Sequence, residues 1–256
     1  MNSVSVTGKN WILKKFDQEQ IIHLKDNFSL DEITAKLLVL RNIRKEDIKS
    51  FLSPSIKNFL PNPNSLLDME KSTIRTISAI KNKEKIGVFG DYDVDGATST
   101  ALLGRYFDKL KINYEIYIPD RKTEGYGPSI KGFKQLIKNN VKIIFTVDCG
   151  TLSFDAIEYA KNNNIDVIVL DHHQSEINLP KAHSVVNPNR LDDKSNLHYL
   201  CAAGVTFMFL VSINKHLRLN DWFKNNLKDE PNLINFLDLV SLGTVCDVVP
   251  LVGLNR

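Results

Sequence analysis

Cysteine is scarce. The 256 residues contain three, Cys149, Cys201 and Cys246, an odd number with no pair at zinc-ligand spacing. That excludes a disulfide-stapled secreted scaffold and a structural zinc site, and the three are read as reduced thiols in or near the core of a cytosolic protein. Long apolar runs are lacking too. Nothing approaches the length that spans a bilayer, and Met1 to Asn10 is polar with no apolar signal core, so the sequence predicts a soluble, cytoplasmic protein without membrane contact. Charge of one sign is also missing: 33 Lys and Arg against 30 Asp and Glu leave +3, only a faint pull toward anionic partners. A hydrophobic content of 43% is enough to bury a substantial core in one large or two small domains.

Carboxylate, by contrast, is concentrated. Ile86 to Gly96 reads I-G-V-F-G-D-Y-D-V-D-G, an apolar run followed by Asp91, Asp93 and Asp95 at every second position. Three carboxylates this close repel one another, and at pH 7 they stay ionised together only with cations between them. Two further apolar runs end in the same way. Lys142 to Gly150, K-I-I-F-T-V-D-C-G, closes on Asp148, and Ile165 to His173, I-D-V-I-V-L-D-H-H, closes on Asp171, His172 and His173.

Continuous Val/Ile runs are the pattern of parallel strands covered on both faces, and open sheets of that kind bind ligands outside the carboxyl ends of the strands. Helical spacing at Ala97–Leu110, Ile130–Asn139 and Phe154–Asn163, an alternating edge strand at Asn113–Ile118 and a short last strand at Ser184–Asn187 complete the expected α/β fold. It is a parallel Rossmann-like sheet flanked by helices, with right-handed crossovers. Apolar helices are predicted at Cys201–His216, which opens on small residues, and at Leu233–Leu242. Asp247 then stands as a lone carboxylate in Gly243-Thr-Val-Cys-Asp-Val-Val-Pro250, a placement that calls for a partner or a metal.

Residues 1–81 are read as a small helical N-terminal region packing on a core domain of residues 82–256. Ser29-Leu-Asp-Glu32 has the capping-box pattern and opens a helix reaching to about Asn42. Lys45–Leu52 forms a second helix, stopped by Ser53-Pro54; Ser53 to Asn64 carries three prolines and reads as irregular; and Asp68 caps a third helix through Ile74, Ile77 and Ile80. The loop from Pro119 to Pro128 contains Arg121, Lys122 and Gly125-Tyr126-Gly127. Its composition suits holding a phosphate and stacking a base, and equally suits a plain turn.

Asp91-x-Asp93-x-Asp95-Gly96 also opens a calcium-loop pattern, but that loop needs a glutamate at position twelve, where Leu102 stands, and a helix in front, where a strand is predicted. An aspartate-nucleophile phosphatase would place acidic residues at a strand end but has no use for paired histidines at the next one. Carboxylates with one or two imidazoles and no thiolate suit manganese or magnesium. Six candidate ligands exceed the needs of one ion and point to a pair, the arrangement that promotes in-line attack on phosphorus.

The motifs Asp91-Tyr-Asp-Val-Asp-Gly96, Thr146-Val-Asp-Cys-Gly150, Asp171-His-His173 and Gly243-Thr-Val-Cys-Asp-Val-Val-Pro-Leu251 resemble the four motifs of the DHH phosphoesterases. The likeness extends to Trp11, Arg41-Asn-Ile43, Ile118-Pro119 through Gly125-Tyr-Gly127, and Leu200-Cys-Ala-Ala-Gly204. Within the family the chain is similar to the bacterial 5′ to 3′ exonucleases specific for single-stranded DNA, enzymes of repair and recombination. The resemblance implies that Asp91 and Asp93 serve one Mn2+ or Mg2+ ion, that Asp95, His172 and Asp247 serve a second, and that Asp148 bridges the two. It further implies that His173 faces the scissile phosphate, that Arg121 and Tyr126 meet the nucleotide at the 5′ end, and that Asp171 orients the histidines.

Single-stranded DNA is the implied partner, with a single-strand-binding protein and a helicase beside it. Cys246 stands where the family commonly carries alanine. Family members continue past Arg256 into a second catalytic-side domain and a nucleic-acid-binding barrel, neither of which is in this sequence, so an inactive truncated piece is one reading. The same core elsewhere serves phosphoesterases of short oligonucleotides, cyclic dinucleotides or pyrophosphate, or a scaffold that has lost its ligands. The N-terminal region and the Gly-Tyr-Gly loop favour the exonuclease over the small-molecule phosphoesterases, and the complete ligand set speaks against a scaffold.

Overall fold

The first two helices are started by aspartates whose short side chains reach back to free backbone amides. A computed structural model describes residues 4–10, 12 and 14–256; Trp11 lies outside the described residues. The chain forms two compact units, residues 1–59 and 60–256.

In the first unit, helix α1 (Gln18–Phe28) begins at Asp17, whose carboxylate accepts the Glu19 and Gln20 amides. Helix α2 (Glu32–Leu40) begins at Asp31, which accepts the Thr34 amide. The expected capping box at Ser29 is not formed: Ser29 closes α1 with φ at 50°, the left-handed conformation of a helix end. Ile21, Leu24, Ala35, Leu38 and Ile48 make a small core. Helix α3 (Ile48–Leu52) follows a single 3-10 turn, and a further turn, α4 (Ile56–Phe59), interrupts the stretch read as irregular.

The second unit opens with a 3-10 turn at Pro63–Ser65 and then helix α5 (Met69–Lys81), and residues 60–81 fold with the sheet. The elements then run β1 (Ile86–Gly90), α6 (Val94–Leu110), β2 (Tyr114–Tyr117), α7 (Ile130–Lys138), β3 (Ile143–Val147), α8 (Phe154–Asn162), β4 (Asp166–Leu170), β5 (Ser184–Val186), α9 (Ala202–Leu219), α10 (Trp222–Asn225) and α11 (Leu237–Cys246). The sheet order is β2-β1-β3-β4-β5, with every pair parallel. Residues 233–242 are not one helix: Leu233–Phe236 is a 3-10 turn, and α11 extends to Cys246. No helix among the described residues is long and apolar enough to cross a membrane.

The strands are apolar without alternation because both faces are covered. Ile86, Val88, Phe145 and Ile168 pack with Leu102, Phe107 and Phe209 on one side, while Phe89, Ile144, Val167 and Val169 pack with Phe133, Leu136 and Ile157 on the other. Burial of these aliphatic and aromatic groups, at roughly 25 cal/mol per Å², is the dominant stabilising term. Register sets up the site: Gly90 pairs with Val147, and Val147 with Leu170, so the three polar loops leave the sheet at one level.

An open sheet edge needs covering, and β5 is covered by a charged pair. The Val185 amide donates to Asp68 Oδ2 at 3.0 Å, Arg190 Nη1 donates to the Val185 carbonyl at 2.7 Å, and the same Nη1 reaches Asp68 Oδ2 at 2.9 Å. Asp68 stands at the head of α5 as expected, but its carboxylate caps no helix amide; it closes the strand instead. Asp68 sits at φ 60°, so Asp68→Ala loses both the bond and a residue tolerant of that conformation. The variant should be destabilised by about 1–3 kcal/mol, read as a lower urea midpoint with an unchanged slope.

Candidate metal centre

Each carboxylate is delivered by a separate local device. Asp93 is the N-cap of α6, with Oδ1 accepting the Gly96 amide at 2.9 Å, so that amide is not free for a phosphate. The helix starts at Val94, three residues before the predicted Ala97, and Asp95 lies within its first turn. Gly96 is required by close approach: a Cβ there would meet the Asp91 backbone oxygen at 2.6 Å.

Asp148 sits at the end of β3 with φ at 60°, a conformation that Asp tolerates better than most residues. Its amide bonds to the Leu170 carbonyl at 3.0 Å. Asp247 closes α11, which can approach α6 because position 243 is glycine: a Cβ there would lie 2.6 Å from Thr98 Oγ1 and 2.8 Å from Asp95 Oδ1.

These devices bring together six of the predicted residues. Asp91, Asp93 and Asp148 each offer an oxygen within 4.8 Å of the others, as do the ligand atoms of Asp95, His172 and Asp247. His172 Nε2 lies 3.3 Å from Asp148 Oδ1, 3.6 Å from Asp247 Oδ2 and 3.7 Å from Asp95 Oδ2, so the two groups meet at Asp148. Asp91 Oδ1, Asp148 Oδ1, His172 Nε2 and Asp247 Oδ2 are all buried without a hydrogen-bond partner. Buried polar atoms are rarely left so. Four in one place, on residues of metal-ligand chemistry, fit a pair of divalent cations.

The electrostatics agree. Burial, then the charges of Asp95 and Asp93, push the Asp148 carboxyl up to about 10. Burial also raises Asp91, Asp95 and Asp247. Asp95 is partly relieved because its oxygens accept the Ala202 and Ala203 amides at 2.6 and 2.9 Å. Those are the first amides of α9, whose own N-cap residue, Cys201, makes no side-chain cap. Asp95 supplies that cap from another helix.

Asp171 behaves in the opposite way. Burial would raise it, but the His173 ring and the Thr151 amide hold it well below the usual carboxylate range. It accepts the His172 amide at 2.7 Å, the His173 amide at 3.2 Å and His173 Nδ1 at 2.8 Å. That last bond, outweighing burial, raises the His173 imidazole.

Tyr126 donates to the Asp148 carbonyl at 2.9 Å, with its oxygen 3.2 Å from His173 Nε2. Arg121 lies over the Tyr92 ring at 5.4 Å, and Tyr92 meets Tyr126 edge-on at 6.5 Å. Of the cysteines, Cys149 and Cys201 are buried as expected, but Cys246 is exposed, because the last turn of α11 carries it to the surface.

Sequence reasoning missed Asn187-Pro-Asn189-Arg190. Asn187, fully buried, donates from Nδ2 to the His173 carbonyl and to Thr151 Oγ1, both at 2.8 Å. Its Oδ1 accepts the Asn189 amide at 2.7 Å, and Asn189 in turn grips the His172 carbonyl. The peptide bearing both imidazoles is therefore held from its carbonyl side by asparagines and from its amide side by Asp171. Asn187→Ala should weaken manganese affinity by about 10–100-fold, measured by calorimetry, with the helix content of the circular dichroism spectrum retained.

A parallel α/β domain that gathers carboxylates and an imidazole at adjoining strand ends, with orphaned buried ligand atoms, is of the class built to hold divalent cations beside a phosphate. The chain belongs to the DHH family, whose N-terminal domain model matches residues 85–244. It is 32% identical over 247 residues to the single-stranded-DNA-specific exonuclease RecJ of Bacillus subtilis (strain 168), covering 96% of this chain and 29% of that protein. With RecJ of Haemophilus influenzae identity is 34%, over 95% of this chain and 42% of the relative. The crystal structure of RecJ in complex with Mn2+ from Thermus thermophilus superposes with a TM-score of 0.73 at 26% identity, over 95% of this chain and 33% of that one. The chain thus spans less than half the length of these relatives.

Proposed function

We propose that residues 60–256 hold two Mn2+ or Mg2+ ions and hydrolyse phosphodiester bonds of single-stranded DNA from the 5′ end, as the metal-bearing part of an exonuclease. The observation that carries this reading is the meeting of two ligand groups at one carboxylate, Asp148. The exonuclease names of the relatives and the manganese complex among them support the substrate and the ion.

In this reading Asp91 and Asp93 take one ion, Asp95, His172 and Asp247 the other, and Asp148 both. Bound there, the ions would neutralise charge on the phosphoryl oxygens and lower the pKa of water. The left-handed backbone at Asp148, fixed by its bond to Leu170, aims the shared carboxylate without rearrangement. His173, half exposed and oriented by Asp171, holds a proton toward the scissile phosphate. Arg121, steadied over Tyr92, and Tyr126 receive the 5′-terminal nucleotide.

The test is turnover in manganese of a long 5′-phosphorylated single strand against its duplex and against a dinucleotide. Stepwise release of mononucleotides from the single strand is expected. Faster hydrolysis of the dinucleotide would instead assign the site to small phosphate esters.

A further inference from the structure

At the end of the sheet opposite the carboxylates, a cavity of about 560 Å³ opens between the C-terminal ends of α5 and α6 and the short helix α10. Lysine supplies four of its twelve lining residues, Lys81, Lys83, Lys111 and Lys228, against 33 Lys and Arg in the 256 residues of the chain. Trp222 forms one wall. The single acid, Glu84, is already answered by Arg75 at 2.7 Å.

Lysines at helix C-termini commonly serve the free carbonyls and the negative end of the dipole. Here that duty accounts for one of the four. Lys228 bonds the Leu110 carbonyl, while the carbonyls of Ala79, Ile80, Phe107 and Asp108 are taken by the backbone amides of Glu84, Lys83, Ile112 and Lys111. The ammonium groups of Lys81, Lys83 and Lys111 make no ion pair among the described residues. Lys83 and Lys111 also occupy left-handed positions, φ 55° and 53°, where glycine is the unstrained choice. A side chain at these positions carries a conformational cost.

We propose that this cavity binds a phosphate-bearing anion of nucleotide size. The three free ammonium groups meet the phosphates, and the half-buried Trp222, over whose ring the Lys228 ammonium lies at 5.9 Å, walls the space for whatever the phosphates carry. The volume lies within the range of small-molecule sites. This site is separate from the carboxylate cage and does not depend on the function proposed for it.

The experiment is calorimetric titration of the 256-residue chain with pyrophosphate and with ADP, in EDTA so that the carboxylate cage repels anions. Trp222 fluorescence in a Trp11→Phe background gives a second reading. Binding at roughly 0.1 mM or tighter is expected, weakened at least ten-fold by combined Lys83→Gln and Lys111→Gln and unchanged by Arg121→Gln. Tighter ADP would support the nucleotide-sized ligand, and equal affinities would overturn it in favour of lysines that hold any inorganic anion. Absence of heat at millimolar ligand, or affinity indifferent to the lysine pair in a variant whose melting temperature is unchanged, would overturn the proposal.

Discussion

Asp148→Asn is expected to abolish manganese-dependent cleavage of single-stranded DNA while making the metal-free protein harder to melt. Asparagine keeps the size of the side chain and tolerates the left-handed backbone at this position, φ 60°, so the substitution removes charge and little else. The loss of turnover should be on the order of a thousandfold or more, equivalent to about 4 kcal/mol of transition-state stabilisation, because the carboxylate shared by both ligand groups is gone. The gain in stability follows from the same burial. Asp148 is 1% exposed and, without cations, must take up a proton on folding because burial and the charges of Asp95 and Asp93 oppose its ionisation; a neutral amide removes that requirement. A rise of several degrees in the metal-free melting temperature corresponds to roughly 1–2 kcal/mol in a domain of this size. Retained cleavage would remove Asp148 from the shared position, and a lowered melting temperature would mean that its charge is not the strained element.

Manganese should raise the melting temperature, and by more at pH 8 than at pH 5.5. Asp148, pushed up to about 10, keeps a proton in the folded chain that an unfolded carboxyl, with its ordinary value near 4, has already released. Between those two values the folded state binds more protons, so metal-free stability falls as pH rises; Asp91, Asp95 and Asp247 act in the same direction. Cations take the place of those protons, so their binding strengthens with pH. Two sites each at a hundred times their dissociation constant add about 5 kcal/mol, on the order of 10 °C or more. Asp171 has the opposite sign: held low by His173 and Thr151, it contributes stability that is lost only in strong acid. The checks are thermal melts at both pH values with and without manganese, and calorimetry in buffers of different ionisation enthalpy. A stoichiometry of one ion, or a metal effect independent of pH, would contradict the paired centre.

The strands and the carboxylates and imidazoles at their ends were legible because their signals are local: an apolar run ending in a carboxylate is written in consecutive residues, and three such runs reach one edge by the parallel register of β1, β3 and β4. Asp247 was legible by misplacement, a charge among apolar neighbours. What escaped depends on distant partners. Asn187 and Asn189 look like the turn formers that accompany a proline, and nothing nearby reveals that they grip the histidine peptide from 14 and 17 residues away. Asp68 does head α5, but whether its carboxylate serves that helix or β5 is decided 117 residues later. At Ser29, the capping-box spacing was present and lost to Asp31, two residues on, whose carboxylate reaches the Thr34 amide; Ser29 was then free to end the preceding helix.

The double engagement of Asp95 separates it from its neighbour in what mutation can remove. Asp93 is exposed and gives up one cap when replaced. Asp95 anchors the opening amides of α9, an 18-residue helix whose buried side chains fill one face of the sheet. In lineages of this fold that have ceased to hydrolyse anything, drift should therefore erase the first aspartate early and spare the second, leaving an acidic fossil that marks architecture after chemistry has gone.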